Sequence, residues 1–287
     1  MIEHDADVLL DLRSDIGEGP LWDHRIGRLL FVDVTAGELF SATLGGSVEV
    51  TGIGHALGAV GLHANGGYVL ATQEGVSTLD PGSPRTPFSD LRLERGLRMN
   101  DAQVGPDGCL WAGSMAWDEA AGRGTLYRVR PDGGWSVVLE GLSISNGIGW
   151  SAAADTMVYV DSPTHALEAF DWSPDGAISR RRVLAEIPEG YPDGLCVDDE
   201  DHVWVAVYGA GIVVRFAPTG ERVATVRLPA TNATSCCFAG ENLDVLAITS
   251  AGQGLTPLER HDQHAGAVFA ADVGVCGRRA RSFGESE

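Results

Sequence analysis

The chain has 287 residues, 44% of them apolar, and its formal net charge is −20. A surface this acidic repels nucleic acid and anionic membranes, so neither is an expected partner. No apolar run approaches the roughly 20 residues that a membrane-spanning helix requires, and the acidic N-terminal residues do not resemble a signal peptide, so we expect a cytoplasmic protein.

Short apolar strands separated by glycine or polar turns recur along the whole chain, whereas helical periodicity is nearly absent. One series of strands is predicted at residues 27–34, 66–73, 108–115, 155–162, 201–208 and 242–250. A second series follows it at residues 37–44, 75–81, 124–133, 165–176, 211–220 and 266–274. Because the pair repeats six times with a period of roughly 40 to 50 residues, the sequence predicts an all-β, six-bladed propeller rather than a β-sandwich.

The six copies follow one another without a linker or a low-complexity tract, so residues 1–287 are predicted to form a single domain. The last copy lacks a final strand. The N-terminal segment DVLLDL, residues 7–12, could supply that strand. This pairing would close the ring and cover an exposed sheet edge.

Each copy also has a segment before its strand of the first series, and in a propeller this segment is the inner strand that lines the central channel. When the copies are aligned on the aromatic residue of the following strand, one position of the inner strand holds, in blade order, Glu18, Gly58, Asn100, Asn146, Asp193 and Thr234. Carboxylate and amide oxygens are the ligands that Ca²⁺, Mg²⁺ and Mn²⁺ prefer. A turn-capping role explains any one of the polar residues better than a metal ion does. Four of them at one register predict a metal site at the mouth of the channel.

Several motifs carry a resemblance to a known family. GEGPLW, RMNDAQVGPDG, ISNGIGWS, PDGLCVDDEDHVWVA and TSCCFAG occur in this order over nearly the whole chain. Together they resemble the family of regucalcin (senescence marker protein), gluconolactonase and luciferin-regenerating enzyme. This resemblance implies a six-bladed propeller with one divalent metal ion in its channel. It also implies hydrolysis of sugar lactones, the reaction of most characterised enzymes of the family.

The resemblance also assigns the metal ligands, and the chemistry of lactone hydrolysis suggests the base. Glu18, Asn146 and Asp193 match the family's metal ligands. Ca²⁺ is the expected ion, with Zn²⁺, Mn²⁺ and Mg²⁺ as alternatives. A metal-activated water would attack the lactone carbonyl, with Asp193 as general base.

Four further residues are expected to contact the substrate. Asn100 matches a position near the metal that contacts substrate or a metal-bound water, and Arg98 and Asp101 match substrate-contacting positions. Glu119 is the nearest candidate for an acidic residue that the family carries in the loop after the second strand of this blade. That loop is shorter here than in the animal members of the family, so the resemblance does not fix the identity of the substrate.

Other interpretations of the same residues stay open. A calcium-binding or regulatory propeller without turnover would also place oxygen ligands on the axis. A hydrolase of a non-sugar lactone or another ester would use the same chemistry on a different substrate. His55 and His63 flank an apparent inner strand and could reach a substrate, although turn or packing roles explain them more simply. The native metal, the lactone ring size and the oligomeric state are not determined by the sequence.

Overall fold

The computed structural model describes residues 2–285, and two short strands come first in this part of the chain. They are β1 (Ile2–Asp5) and β2 (Asp7–Leu10). Each of the six predicted copies then forms one sheet of antiparallel strands joined by short turns. Both predicted series of strands are present, as the second and third strands of successive blades.

The blades follow one another in chain order. Blade one contains β3 (Gly17–Asp23), β4 (Arg28–Asp33), β5 (Glu38–Ala42) and β6 (Val48–Gly52). Blade two contains β7 (Leu57–His63), β8 (Tyr68–Thr72), β9 (Gly75–Leu79) and β10 (Thr86–Pro87). Blade three contains β11 (Leu97–Val104), β12 (Leu110–Ala116), β13 (Gly124–Val129) and β14 (Trp135–Leu142).

The second half of the chain repeats this order. Blade four contains β15 (Ser145–Trp150), β16 (Thr156–Asp161), a 3-10 turn (Ser162–Thr164), β17 (Ala166–Trp172) and β18 (Ile178–Glu186). Blade five contains β19 (Tyr191–Val197), β20 (Val203–Tyr208), β21 (Ile212–Phe216) and β22 (Arg222–Arg227). Blade six contains β23 (Ala233–Ala239), β24 (Val245–Ser250), the short helix α1 (Pro257–Asp262) and β25 (Val268–Asp272), and β26 (Ser282–Phe283) follows.

The N-terminal strands complete the ring. Strand β2 pairs antiparallel with β25, with Asp7 opposite Ala270, and so forms the outermost strand of blade six. This confirms the predicted closure by the N-terminal segment. Strand β1 adds a fifth, parallel strand to blade five through its pairing with β22, a contact that the sequence pattern did not indicate.

The inner strands and the cores define the propeller. Each inner strand contacts the next around the circle, and the last one, β23, contacts the first, β3. Within the described residues the buried apolar side chains form six clusters, each of them between two neighbouring blades. In one of them Trp111 and Trp150 meet edge to face with ring centroids 5.6 Å apart. The all-β, six-bladed architecture is therefore confirmed, whereas the single domain over residues 1–287 reaches beyond the described residues and stays a prediction.

The C-terminal segment crosses the channel at the end opposite the first residues of the inner strands. Gly277 forms a bridge with Asp198, just beyond the end of β19, and β26 pairs in parallel with the end of β7 at Leu62 and His63. Between these two anchors, residues 278–281 line a cavity of about 100 Å³ inside the channel. The crossing segment therefore forms a floor beneath the channel.

Close approach of neighbouring inner strands requires glycine at Gly58. A Cβ placed there would lie 2.1 Å from the carbonyl oxygen of Asn100 on the adjacent strand. We expect Gly58→Ala to lower the free energy of unfolding by about 1–3 kcal/mol, because one of the two backbones must move. Urea unfolding measures this change, and Gly52→Ala is the control because a Cβ there meets nothing within 4 Å. Equal stability of the two variants would contradict the close packing.

Candidate active site at the mouth of the channel

The predicted position lies at a β-bulge in each inner strand. The pairing of inner strand and second strand shifts register near the start of all six blades. Asn100, Asn146 and Asp193 are among the bulged residues at which the register shifts, and Glu18 is the last paired residue before such a bulge. Bulges turn side chains away from the regular pleat and are common beside active sites. The four polar residues named from the sequence therefore occupy corresponding places around one mouth.

Two carboxyl groups meet at this mouth. The carboxyl groups of Glu18 and Asp193 act directly on each other, and only 7% and 8% of these residues are exposed. Burial raises the pKa of Glu18 from its usual 4.5 to about 8, and the charge of Asp101 adds to this rise. Burial also raises the pKa of Asp193 well above its usual range, with the charge of Glu18 acting in the same direction. Without a bound metal ion, the carboxyl pair therefore retains a proton at neutral pH.

A chain of side-chain hydrogen bonds continues from blade three into blade four. Arg98 Nη1 donates to Asn100 Oδ1 over 2.6 Å, and Asn100 Nδ2 donates to Asn146 Oδ1 over 2.8 Å. Asn146 Nδ2 in turn donates to Ser162 Oγ over 2.8 Å. These contacts fix the amide of Asn146 with its oxygen toward Asn100. An amide oxygen has two lone pairs, so one remains for a further ligand.

Arg98 is a buried cation beside the carboxyl pair. It is 6% exposed, and its guanidinium lies over the ring of Trp117 at 5.2 Å from the centroid. Burial lowers the pKa of Arg98 to about 10, against the attraction of Glu18, Asp193 and Glu119, so it remains charged at neutral pH. Its Nε atom is buried without a hydrogen-bond partner among residues 2–285. A buried donor of this kind is costly unless a ligand completes it.

Asp101 and Glu119 lie at different depths. Asp101 is half-buried, accepts a hydrogen bond from its neighbour Ala102 N over 2.7 Å, and lines the cavity beneath the mouth. Burial raises the pKa of Asp101 to about 6. Glu119 is exposed in the turn after β12, with a φ of 56°, and its charge acts on both Arg98 and Tyr208. Asp101 therefore faces the channel interior, whereas Glu119 stands at the rim.

The donors at the mouth fit a hard divalent cation. Two buried carboxyl groups in contact can both ionise only if positive charge is added between them. Asn146 Oδ1 supplies a third oxygen. Among residues 2–285, no three His, Cys, Asp or Glu side chains are grouped closely enough to hold a metal ion, so an ion here would need this amide as its third protein ligand.

His55 and His63, the two histidines that the sequence offered as possible substrate contacts, lie at opposite ends of β7. His55 precedes the start of the strand, on the side of the mouth, where its Nε2 is 3.6 Å from Glu74 Oε2. His63 ends the strand at the floor and packs edge to face against Phe283 with ring centroids 5.3 Å apart. His63 therefore cannot reach a ligand at the mouth, and its role is packing.

Three neighbours of the site were not singled out from the sequence. The ring of Trp117 lies against the guanidinium of Arg98, and Ser162 accepts a hydrogen bond from Asn146. Tyr208 is half-buried, and its pKa is raised by burial and by the charge of Asp193. Each of the three residues lies at the end of the second strand of its blade or directly after it. Polar and aromatic residues at these strand ends could therefore have been predicted to lie near the mouth. Their contacts depend on turn conformations that strand periodicity does not encode.

Fold and site define a class of protein: six-bladed β-propellers with a polar, oxygen-rich site on the axis. Within that class the chain belongs to the SMP-30/Gluconolactonase/LRE-like family, whose characteristic region matches residues 16–252. The family expected from the sequence motifs is thereby confirmed.

Individual relatives cover almost the whole chain. The chain is 33% identical to regucalcin of Xenopus laevis over an alignment of 283 residues that covers 93% of this chain and 94% of that protein. It is 31% identical over 290 residues to YvrE of Bacillus subtilis, provisionally named a sugar lactone lactonase, with 97% and 98% covered. Among solved structures, a calcium-binding protein, regucalcin, from Agrobacterium tumefaciens aligns over 98% of each chain with a TM-score of 0.92 and 25% identity.

No helix within residues 2–285 has the length and apolarity needed to cross a membrane.

Proposed function

We propose that the protein is a divalent-metal-dependent lactonase that opens sugar lactones to the corresponding sugar acids. The observation that carries this proposal is the buried contact between the Glu18 and Asp193 carboxyl groups, beside the buried guanidinium of Arg98. A buried acid pair and a buried cation at one channel mouth suit a polar substrate that develops negative charge. Membership of a family that includes gluconolactonases supports the substrate class.

Glu18, Asn146 and Asp193 would hold the metal ion. When bound, a divalent ion supplies the positive charge that polarises a lactone carbonyl and makes water more acidic. Ca²⁺ is the ion we propose, because all three donors are oxygens and two relatives are named regucalcin, one of them described as calcium-binding.

Asp193 would move the proton. Its carboxylate takes a proton from the attacking water as the oxygen of that water bonds to the carbonyl carbon. The same carboxyl then returns the proton to the ring oxygen as the ester C–O bond breaks, so one water and one lactone yield one hydroxy acid. In the metal-free protein burial raises the pKa of Asp193, whereas a bound divalent ion would lower it again. With the ion in place, the greater acidity of the water would compensate for this lower basicity of the carboxylate.

The remaining polar residues would orient the substrate. The guanidinium of Arg98, which is held by Asn100 and Trp117, would bind substrate hydroxyls. Asn100 and Asp101 would form, together with Arg98, a polar surface that binds the substrate, and Glu119 would contact the substrate from the rim. The half-buried position of Asp101 restricts it to the deepest part of a bound ligand.

Hydrolysis assays test the proposal directly. We expect the purified protein to open gluconolactone, xylonolactone, galactonolactone or arabinolactone, to lose this activity in excess chelator, and to regain it with Ca²⁺, Mn²⁺, Mg²⁺ or Zn²⁺. Acid release followed at constant pH measures the rate. Activity that persists after complete removal of metal would contradict the role of the acid pair.

The calcium-binding alternative rests on a specific observation as well, since one structural relative is described as a calcium-binding protein. Titration of the metal-free protein with Ca²⁺ distinguishes the two. A stoichiometric binding isotherm, without turnover of any sugar lactone, non-sugar lactone or aryl ester, would favour binding without catalysis.

A further inference from the structure

A second cavity, of about 390 Å³, opens on blade two away from the channel. Strand β9, the turn at Gln73 and Glu74, and the segment of residues 92–97 form its walls, and three of its lining residues are Arg85, Arg92 and Arg95. We refer to it as the arginine pocket. Its volume falls in the range of cavities that bind small metabolites.

The arginine pocket opens on the same face of the propeller as the channel mouth. Leu57, the first residue of inner strand β7, pairs with Thr72, so the turn at Gln73 and Glu74 lies at the end where the inner strand begins. Residues 88–96 lead directly into β11, whose start carries Arg98. A ligand in the pocket would therefore bind on the substrate side of the ring.

Two of the three arginines lack a compensating acid. Arg85 Nη2 donates to Glu74 Oε2 over 3.2 Å, and its Nη1 donates to the buried Ser77 Oγ over 2.7 Å. Arg92 Nη1 donates only to the backbone carbonyls of Ser89 and Leu91, each over 2.9 Å. Within residues 2–285 neither Arg92 nor Arg95 forms an ion pair with a carboxylate.

The acidic residues of the pocket are already engaged by other cations. Glu74 accepts from Arg85 and lies near His55, and Glu94 Oε2 is 4.0 Å from Arg123 Nη2. In a chain of 40 acidic and 20 basic residues, two uncompensated guanidinium groups in one cavity are a local reversal of charge. Arg92 and Arg95 are both exposed, so this local positive charge would attract an oxyanion that the rest of the acidic surface repels.

We propose that the arginine pocket binds a small organic oxyanion, whose carboxylate or phosphate group is held by the guanidinium groups of Arg92 and Arg95. A guanidinium presents paired N–H donors that match the oxygens of either group. The proposal concerns a site separate from Glu18, Asn146 and Asp193, and it does not depend on lactone hydrolysis.

Calorimetric titration at low ionic strength tests the pocket, with inorganic phosphate as one probe and gluconate as the other, in chelator. We expect the wild type to bind at least one probe and Arg92→Ser/Arg95→Ser to bind it about tenfold more weakly or worse, because charge-assisted hydrogen bonds are lost. Tighter binding of phosphate than gluconate would assign the anion as a phosphate, and the reverse would assign it as a carboxylate.

The matched control is Arg180→Ser/Arg182→Ser, which removes two arginines from β18 that pair with Asp171 on blade four. Both double variants have the same net charge, so binding retained in the control and lost in Arg92→Ser/Arg95→Ser supports the pocket. Failure of the wild type to bind either probe would overturn the proposal, as would equal binding by the wild type and Arg92→Ser/Arg95→Ser.

Discussion

Replacement of Asp193 by Asn is expected to lower kcat/KM for a sugar lactone by about 10³-fold, the scale of a lost general acid–base group. The amide has a similar shape but cannot take a proton from water, and it removes one negative charge from the proposed ion site. Initial rates over a range of lactone and metal concentrations measure the loss. A variant that keeps more than about a tenth of the wild-type kcat/KM would show that Asp193 is not the base.

Stability distinguishes lost chemistry from lost structure in this variant. In the absence of metal, Asp193→Asn should unfold at a higher temperature than the wild type, because it removes one of two buried carboxyl groups that repel each other when ionised. Asp175→Asn provides the control, since Asp175 is exposed in a turn where it accepts from Ser173 and Ala177. The control should keep wild-type activity and show no such gain in stability.

The metal-free protein is expected to lose several kcal/mol of stability as the pH rises from about 4.5 to about 8. Burial raises the pKa of Glu18 from 4.5 to about 8, so in this window the unfolded chain has released a proton that the folded chain still holds. Stability must therefore fall with rising pH, and the raised pKa of Asp193 acts in the same direction. Carboxyl groups with lowered pKa values, such as Asp23 beside Arg25, lose their contribution only at lower pH.

Urea unfolding at several pH values, in chelator and in saturating Ca²⁺, measures this dependence. Saturating Ca²⁺ should remove most of the decline, because bound positive charge lets both carboxyl groups ionise in the folded state. The variant Glu18→Gln/Asp193→Asn should show little decline above about pH 6 even in chelator, because the raised pKa of Asp101 acts only below that value. A metal-free wild type that is as stable at pH 8 as at pH 5 would contradict the buried acid pair.

The repeated features of this protein could be predicted from sequence because they are local. Each blade strand is a short apolar run bounded by turn residues, and the alignment of six such runs puts Glu18, Asn100, Asn146 and Asp193 at one register from sequence alone. The closing strand was also predictable, since one copy lacked its last strand and the N-terminal segment had no copy of its own. Because the same local strand pattern repeats six times, it indicates which distant residues come together around the ring.

Features that join distant and unlike segments could not be predicted. The parallel pairings of β1 with β22 and of β26 with β7 connect single short segments that have no repeated counterpart. The stacking of Arg98 on Trp117 and the end-to-end separation of His55 from His63 depend on where turns and strand ends lie in space. The functional roles at the mouth stay predictions, because geometry brings the side chains together without showing what they bind.

Pairing of residues 7–10 with residues 268–272 has a consequence for biosynthesis. Because a ribosome delivers the N-terminus first, strand β2 has no partner until β25 has been synthesised, after the other strands of the six blades. The nascent chain can stack its early blades one after another, but it keeps an open edge until then. Completion of the circle therefore follows the synthesis of all six blades, and mutations in either partner strand should reduce the yield of native protein more than they slow assembly of the central blades.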